Sequence, residues 1–210
     1  MKRREFALGL AAAPLLTAAM SAAADPVEGK DYTRLGQAVP VEVPGKVEVI
    51  EFFGYWCPHC NDFQTVLEPW IKRLPPGVNF RRIAAAWQPW QVFYQKLYFA
   101  LEAMGAPEGI HQKIFDAVHR QGLHLENPPV LEAFARANGI DPAKLRETIN
   151  GFTVASRLGI ANQAFRDYRV DGVPTLAVNG RYTTSPAQAG GEKQALQVVD
   201  ALIRKSRAGA

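Results

Sequence analysis

From Val47 to Phe53 the chain reads Val-Glu-Val-Ile-Glu-Phe-Phe, a β-branched and aromatic run bounded by Pro44-Gly45 and by Gly54. Such a run predicts a strand. A second strand is predicted over Val78 to Ala84, after the breaker Pro75-Pro76-Gly77. Between them, from Cys60 to Leu74, apolar residues fall at Phe63, Val66, Leu67, Trp70, Ile71 and Leu74. Spacings of three and four predict an amphipathic helix, and Pro69 inside it is expected to kink it. Strand, helix and strand in this order make a βαβ unit.

The next stretch, Pro89 to Gly151, shows no strand pattern and breaks into helical pieces at Gly105-Ala106-Pro107, Gly122, Asn127-Pro128-Pro129 and Gly139. Ile140-Asp141-Pro142 places an N-cap aspartate before a proline at the first helical position. Thr153 to Tyr168 is again helical. Val173 to Val178 and Arg181 to Thr183 then flank Asn179-Gly180, a strong hairpin signal. Ala195, Leu196, Val198, Val199, Leu202 and Ile203 line one face of a last helix. The expectation is an α/β chain in which residues 25–88 and 152–210 share one sheet and residues 89–151 form a helical insert beside it.

Residues 1–24 do not join that pattern. Lys2, Arg3, Arg4 and Glu5 form a basic start, Phe6 to Ala24 is uncharged and rich in alanine, and Ala22-Ala23-Ala24 supplies small residues before Asp25-Pro26. This reads as a secretory signal peptide over 1–24. The competing reading is a membrane anchor, against which stand Pro14 and the low hydrophobicity of alanine. Arg3-Arg4 also resembles a twin-arginine export signal.

Composition narrows the classes further. Of 210 residues, 48% are apolar and 21% charged, as in globular proteins and unlike disordered ones. The formal charge is +4, and half of it sits in residues 2–5. That leaves no basic stripe, so a nucleic-acid partner is not expected. Gly-x-Ser-x-Gly and Gly-rich phosphate loops are absent from the sequence.

The chain has two cysteines, both in Tyr55-Trp56-Cys57-Pro58-His59-Cys60, where the first strand meets the first helix. A closed zinc site needs four ligands, and the nearest candidate histidines, His119 and His124, lie some sixty residues away without finger spacing. Haem attachment needs a histidine directly after the second cysteine, where Asn61 stands. No metal is therefore expected. As a structural staple, a disulfide closing so short a loop restrains the unfolded chain very little.

A redox role has a direct physical cause. At a helix start, unpaired N–H groups and the positive dipole end favour an anion, so Cys57 is expected to be held as a thiolate. His59 adds a donor and a positive charge when protonated, and Pro58 fixes the first turn. A stabilised reduced thiolate makes the disulfide a stronger oxidant. Cys57 is expected to be the exposed, attacked sulfur, and Cys60 the buried one.

The segment Glu51-Phe52-Phe53-Gly54-Tyr55-Trp56-Cys57-Pro58-His59-Cys60 resembles the active-site strand and loop of the DsbA family of periplasmic thiol:disulfide oxidoreductases, and Val173-Pro174-Thr175 resembles that family's cis-proline loop. The resemblance implies a thioredoxin-like fold with an inserted helical domain. It implies that Cys57 is the nucleophile and Cys60 its buried partner, with Pro58 and His59 tuning the pair. It further implies that Pro174 is cis and sits over Cys57, with the backbone of Val173 free to pair with an extended substrate. Glu51 becomes a buried proton relay to Cys60. Read alone, Pro174 is equally a strand-entry proline, and Glu51 an outward residue on an alternating strand. Val49, Glu51 and Phe53 would share one face that is apolar apart from the acid, which favours burial.

The same resemblance implies a periplasmic monomer that donates the Cys57–Cys60 disulfide to unfolded, cysteine-containing exported proteins. It needs no cofactor beyond that disulfide, and a DsbB-type quinone-linked membrane oxidase restores it. A periplasmic reductase or isomerase of the same fold is the alternative. Gln64 stands where some relatives carry an acid, and the second cysteine pair of some relatives is missing. Trp87 and Trp90, near the start of the insert, are expected to be buried.

Overall fold

The structure is a computed structural model that describes residues 25–106 and 109–208. The signal-peptide reading of 1–24 lies outside the described residues.

Five strands form one sheet in the order β1-β5-β4-β2-β3: β1 (Thr33–Arg34), β2 (Val47–Phe53), β3 (Val78–Ala84), β4 (Thr175–Val178) and β5 (Tyr182–Thr184). The central strand β2 runs parallel to β3 and antiparallel to β4, whose neighbour β5 is also antiparallel. A helix, α1 (Pro58–Ile71), connects β2 to β3. Five helices separate β3 from β4: α2 (Gln91–Ala103), α3 (Ile110–His119), α4 (Pro128–Ala137), α5 (Pro142–Ile149) and α6 (Phe152–Asp167). A short α7 (Pro186–Ala189) and a long α8 (Glu192–Ala208) close the described chain.

Every residue of β2 is buried, because the sheet is covered on both sides. Val47 and Val49 join a core with Phe63, Leu67 and Trp70 of α1 and Leu196, Val199 and Leu202 of α8. Ile50 and Phe52 face the opposite way, into a core with Leu97 of α2, Ile114 and Phe115 of α3 and Val154 of α6. Phe53 departs from strict alternation. It belongs to this second core, packing against Tyr55, Tyr98 and His111 rather than sharing the face of Val49.

Several local predictions shift. The first helix begins at Pro58 rather than Cys60 and stops at Ile71, two residues past Pro69. A proline in the last turn removes a donor where the ladder is ending, so it shortens the helix instead of dividing it. Asn179 (φ 51°) and Gly180 (φ 64°) both have positive φ, and the Arg181 amide donates to the Val178 carbonyl at 3.0 Å, as a type I′ hairpin turn requires. Glycine is needed at 180 for a second reason, since a Cβ there would lie 1.9 Å from the Val39 carbonyl oxygen. Asp141 caps α5 by accepting from the amides of Ala143 and Lys144. β1 is only two residues long and polar, so no periodicity announced it.

Candidate active site

β2 delivers the chain to Gly54, and the next three residues turn it into α1. The Cys57 amide donates to the Gly54 carbonyl at 3.0 Å, closing a β-turn over Gly54–Cys57. The Trp56 indole folds back over Gly54 and donates from Nε1 to the Ala85 carbonyl at 3.2 Å. A Cβ on residue 54 would come within 2.6 Å of that indole, so only glycine leaves it room.

Cys57 is the N-cap of α1, with φ −93° and ψ 115°, and Pro58 occupies the first helical position. The cap is a sulfur, accepting the Cys60 N–H at 3.3 Å. Both cysteines are thiols. The Cys57 thiol is lowered to about 7, chiefly by the hydrogen bond from the Cys60 side chain. Burial opposes that shift, the amides of Cys60 and His59 assist it, and the charge of His59 contributes least. The result falls within the range of about 3.5–7.5 seen for cysteines at such positions. Burial and the Cys57 sulfur push the Cys60 thiol far up. The pair is therefore polarised, with one sulfur inclined to be an anion and its neighbour a proton holder.

One expectation needs correction here. Cys57 is only 4% exposed, because the Val173–Pro174 loop covers it; the thiol donates to the Val173 carbonyl at 3.5 Å. His59 is exposed at the helix surface, and its amide and its charge both lower the Cys57 thiol as expected, the charge contributing least.

The Val173–Pro174 bond is cis, and the loop is braced by the Thr175 hydroxyl donating to the Gly172 carbonyl at 2.7 Å. Thr175 opens β4, opposite Phe52, so Val173 and Pro174 lie just outside the ladder. A cleft of about 440 Å³ runs along this loop, lined by His59, Val173, Pro174, Thr175, Ser185 and Pro186 among others.

Glu51 is fully buried on the α1 side of β2, where Gln64 of α1 reaches it. Arg82 donates to it at 2.7 Å from the facing position of β3, and Gln64 of α1 donates to it at 2.7 Å. The same Gln64 amide also donates to the Cys60 carbonyl at 3.2 Å, tying the acid to the second cysteine. Arg82 continues outward to Glu68 at 2.7 Å. Burial raises the Glu51 carboxyl above its ordinary value, while Arg82 and Gln64 pull it back.

A DSBA-like thioredoxin domain model matches residues 91–202. The thiol:disulfide interchange protein DsbA of Pseudomonas syringae is 40% identical over 190 residues, covering 90% of this chain and 88% of that one. The DsbA of Pseudomonas aeruginosa is 38% identical over 193 residues, covering 91% of each. The chain belongs to the DsbA family. A crystal structure of Pseudomonas aeruginosa DsbA superposes with a TM-score of 0.82 at 36% identity, covering 86% of this chain and 94% of that one. DsbA from Xylella fastidiosa gives 0.81 at 31% identity, covering 87% and 98%. The fold is thus thioredoxin-like with helices inserted, and the chain is a thiol:disulfide oxidoreductase.

Within this DsbA framework, sequence reasoning missed several neighbours of the redox pair. Arg82 sits in a strand whose other residues gave no hint of a buried cation; only its register opposite Glu51 reveals the pairing. Gln64 lacks the charge that some relatives carry there, yet its amide is what bonds both Glu51 and Cys60. Trp87 and Trp90 are not buried but 44% and 56% exposed. Both meet the Trp56 ring edge-on, at 5.9 and 6.0 Å, and Trp87 also packs against Phe165 at 5.8 Å. His119 and His124 bond Tyr55 and Glu126, respectively.

Proposed function

We propose that this chain is a disulfide donor acting in the periplasm on unfolded, cysteine-containing exported polypeptides. The observation that carries the reading is the sulfur cap: Cys57 accepts the Cys60 amide at the start of α1 and is inclined to be a thiolate. Stabilising the reduced form in this way favours giving the disulfide away.

In the forward direction a substrate thiolate attacks Sγ of Cys57. The Cys57–Cys60 bond breaks, and Cys60 leaves with the electron pair and takes a proton, as its raised thiol favours. A second substrate thiolate then attacks the substrate sulfur of the mixed disulfide. Cys57 departs as the stabilised thiolate, the substrate is oxidised and the enzyme reduced. Glu51 exchanges that proton; the same Gln64 amide that bonds its carboxylate donates to the Cys60 backbone carbonyl, which supports this role. The cleft beside Val173–Pro174 holds the extended substrate, with backbone pairing at Val173. Exposed Trp87 and Trp90 extend the apolar surface. The reaction needs no cofactor beyond the disulfide. A DsbB-type quinone-linked membrane oxidase restores the disulfide between turnovers, and the protein works as a monomer.

A second reading keeps the chemistry and reverses its direction. A thiol near 7 also suits a reductase or isomerase of this fold. Equilibrating the Cys57–Cys60 couple with glutathione separates the two. A potential well above about −200 mV supports the donor, whereas a value near thioredoxin's roughly −270 mV overturns it. In the donor reading, Cys57→Ser and Cys60→Ser each abolish oxidation of a reduced unfolded peptide, and Cys60→Ser given a disulfide-bonded peptide accumulates the mixed disulfide, because Cys57 displaces one peptide thiolate and no second cysteine resolves the product.

A further inference from the structure

One stripe of α3 grips a single residue of the redox turn. His111, Phe115 and His119 are spaced four apart and so share a helix face. His111 Nδ1 lies 2.9 Å from the Tyr55 hydroxyl. The Phe115 ring meets the Tyr55 ring edge-on at 5.1 Å. His119 Nε2 lies 2.8 Å from the Tyr55 carbonyl oxygen, which can only accept, so this nitrogen carries the proton and donates. Every polar group of the tyrosine beyond its amide is thus engaged by one helix.

The carbonyl that His119 holds has a particular place. In the β-turn Gly54–Cys57, Tyr55 and Trp56 are the central residues, and the peptide between them is the one a β-turn leaves without an internal hydrogen bond. Rotating that peptide interconverts turn types by changing ψ of Tyr55 and φ of Trp56. Its orientation sets how the chain arrives at Cys57, whose amide closes the turn and whose sulfur caps α1. A donor fixed on the central carbonyl therefore holds the cap sulfur in register with the Cys60 amide. The tyrosine hydroxyl is a second anchor: burial keeps the phenol protonated and keeps His111 neutral, so this bond involves two uncharged groups.

We propose that His119, supported by His111, is a positioning residue of the redox couple, acting through Tyr55 from the helical segment. The inserted helices then help set the thiolate at Cys57 besides covering the sheet. This inference rests on the redox role of Cys57 and Cys60 argued above.

The test compares wild type with His119→Ala, His119→Gln and Tyr55→Phe. Each is assayed by thiolate absorbance titration of Cys57 and by its equilibrium with glutathione. His119→Ala should raise the Cys57 midpoint and shift the equilibrium toward the disulfide by about threefold or more. His119→Gln, whose amide reaches the same carbonyl, should return to within about twofold of wild type. Tyr55→Phe, which loses only the hydroxyl, should shift in the same direction by a smaller factor. A folded His119→Ala with wild-type titration and equilibrium overturns the proposal, as does a folded His119→Gln no better than alanine. Should His119→Ala not fold, His119→Leu, which fills the space without a donor, decides: an unchanged titration overturns the proposal and a raised midpoint supports it. Wild type that fails to equilibrate with glutathione at all defeats the redox reading itself, an outcome distinct from these.

Discussion

Glu51 and Arg82 stand opposite each other in register on the parallel strands β2 and β3, carboxylate to guanidinium at 2.7 Å, on the side of the sheet that α1 covers. Neither belongs to the Cys-Pro-His-Cys motif, yet the pair forms the polar floor beneath it. Gln64 links the floor to Cys60, and Glu68 links Arg82 to solvent. A charge buried this completely is tolerated because its partner is held by strand pairing, not by a flexible contact.

Arg82→Met should therefore destabilise the protein by about 3–5 kcal/mol at neutral pH, the usual cost of leaving one member of a buried pair alone. Without Arg82 only the Gln64 hydrogen bond opposes the upward push of burial on Glu51. A carboxyl raised in the folded state contributes stability that is present below its unfolded pKa and lost as pH rises through the folded value. Denaturant melts should accordingly show a smaller deficit near pH 5 than near pH 7.5. Adding Glu51→Gln to Arg82→Met should recover much of the loss. Equal deficits at both pH values would mean that Glu51 is not the group left uncompensated.

The Cys57 thiol makes a second pH prediction, with the opposite sign. Its folded value is lowered from 9.0 to about 7. An acid lowered on folding contributes stability that is complete above the unfolded pKa and lost as pH falls through the folded one. The stability of the reduced protein relative to the oxidised one should therefore rise between about pH 7 and pH 9, by up to about 3 kcal/mol. At the upper end the reduced form should be the more stable. Parallel pH profiles for the two redox forms would show that the thiolate gains nothing from the start of α1.

Trp87 and Trp90 predict a separation between binding and chemistry. Each is half exposed and leans on Trp56, outside both cores. Trp87→Ala with Trp90→Ala should raise KM for oxidation of an unfolded peptide by about tenfold, the scale of losing an aromatic anchor. The glutathione equilibrium, which needs no apolar surface, should stay near wild type. If the peptide KM is unchanged, substrate does not rest on these rings.

Much of this was legible in one dimension. The breakers around Val47–Phe53, the three-and-four spacing after Cys60 and the Asn179-Gly180 pair all act through local backbone and burial preferences. The Cys-x-x-Cys at a strand-to-helix junction likewise needs only its neighbours to explain why one sulfur favours the anion. The errors have a common origin in distance along the chain. Cys57 was expected to be exposed because its own segment leaves it so; Val173, more than a hundred residues later, covers it. The tryptophans were expected inside because large apolar residues usually are, but Trp56 offers them a lateral surface instead.

The sequence by itself determined the longer elements, the thiol pair and the polarity that a helix start imposes on a sulfur, because each depends on preferences expressed among near neighbours in the chain. The tertiary structure alone decided which cation neutralises Glu51, which carbonyl lies over Cys57 and which histidines hold Tyr55. Those contacts arise from strand register and helix docking between segments tens of residues apart, and no periodicity records which residues will meet.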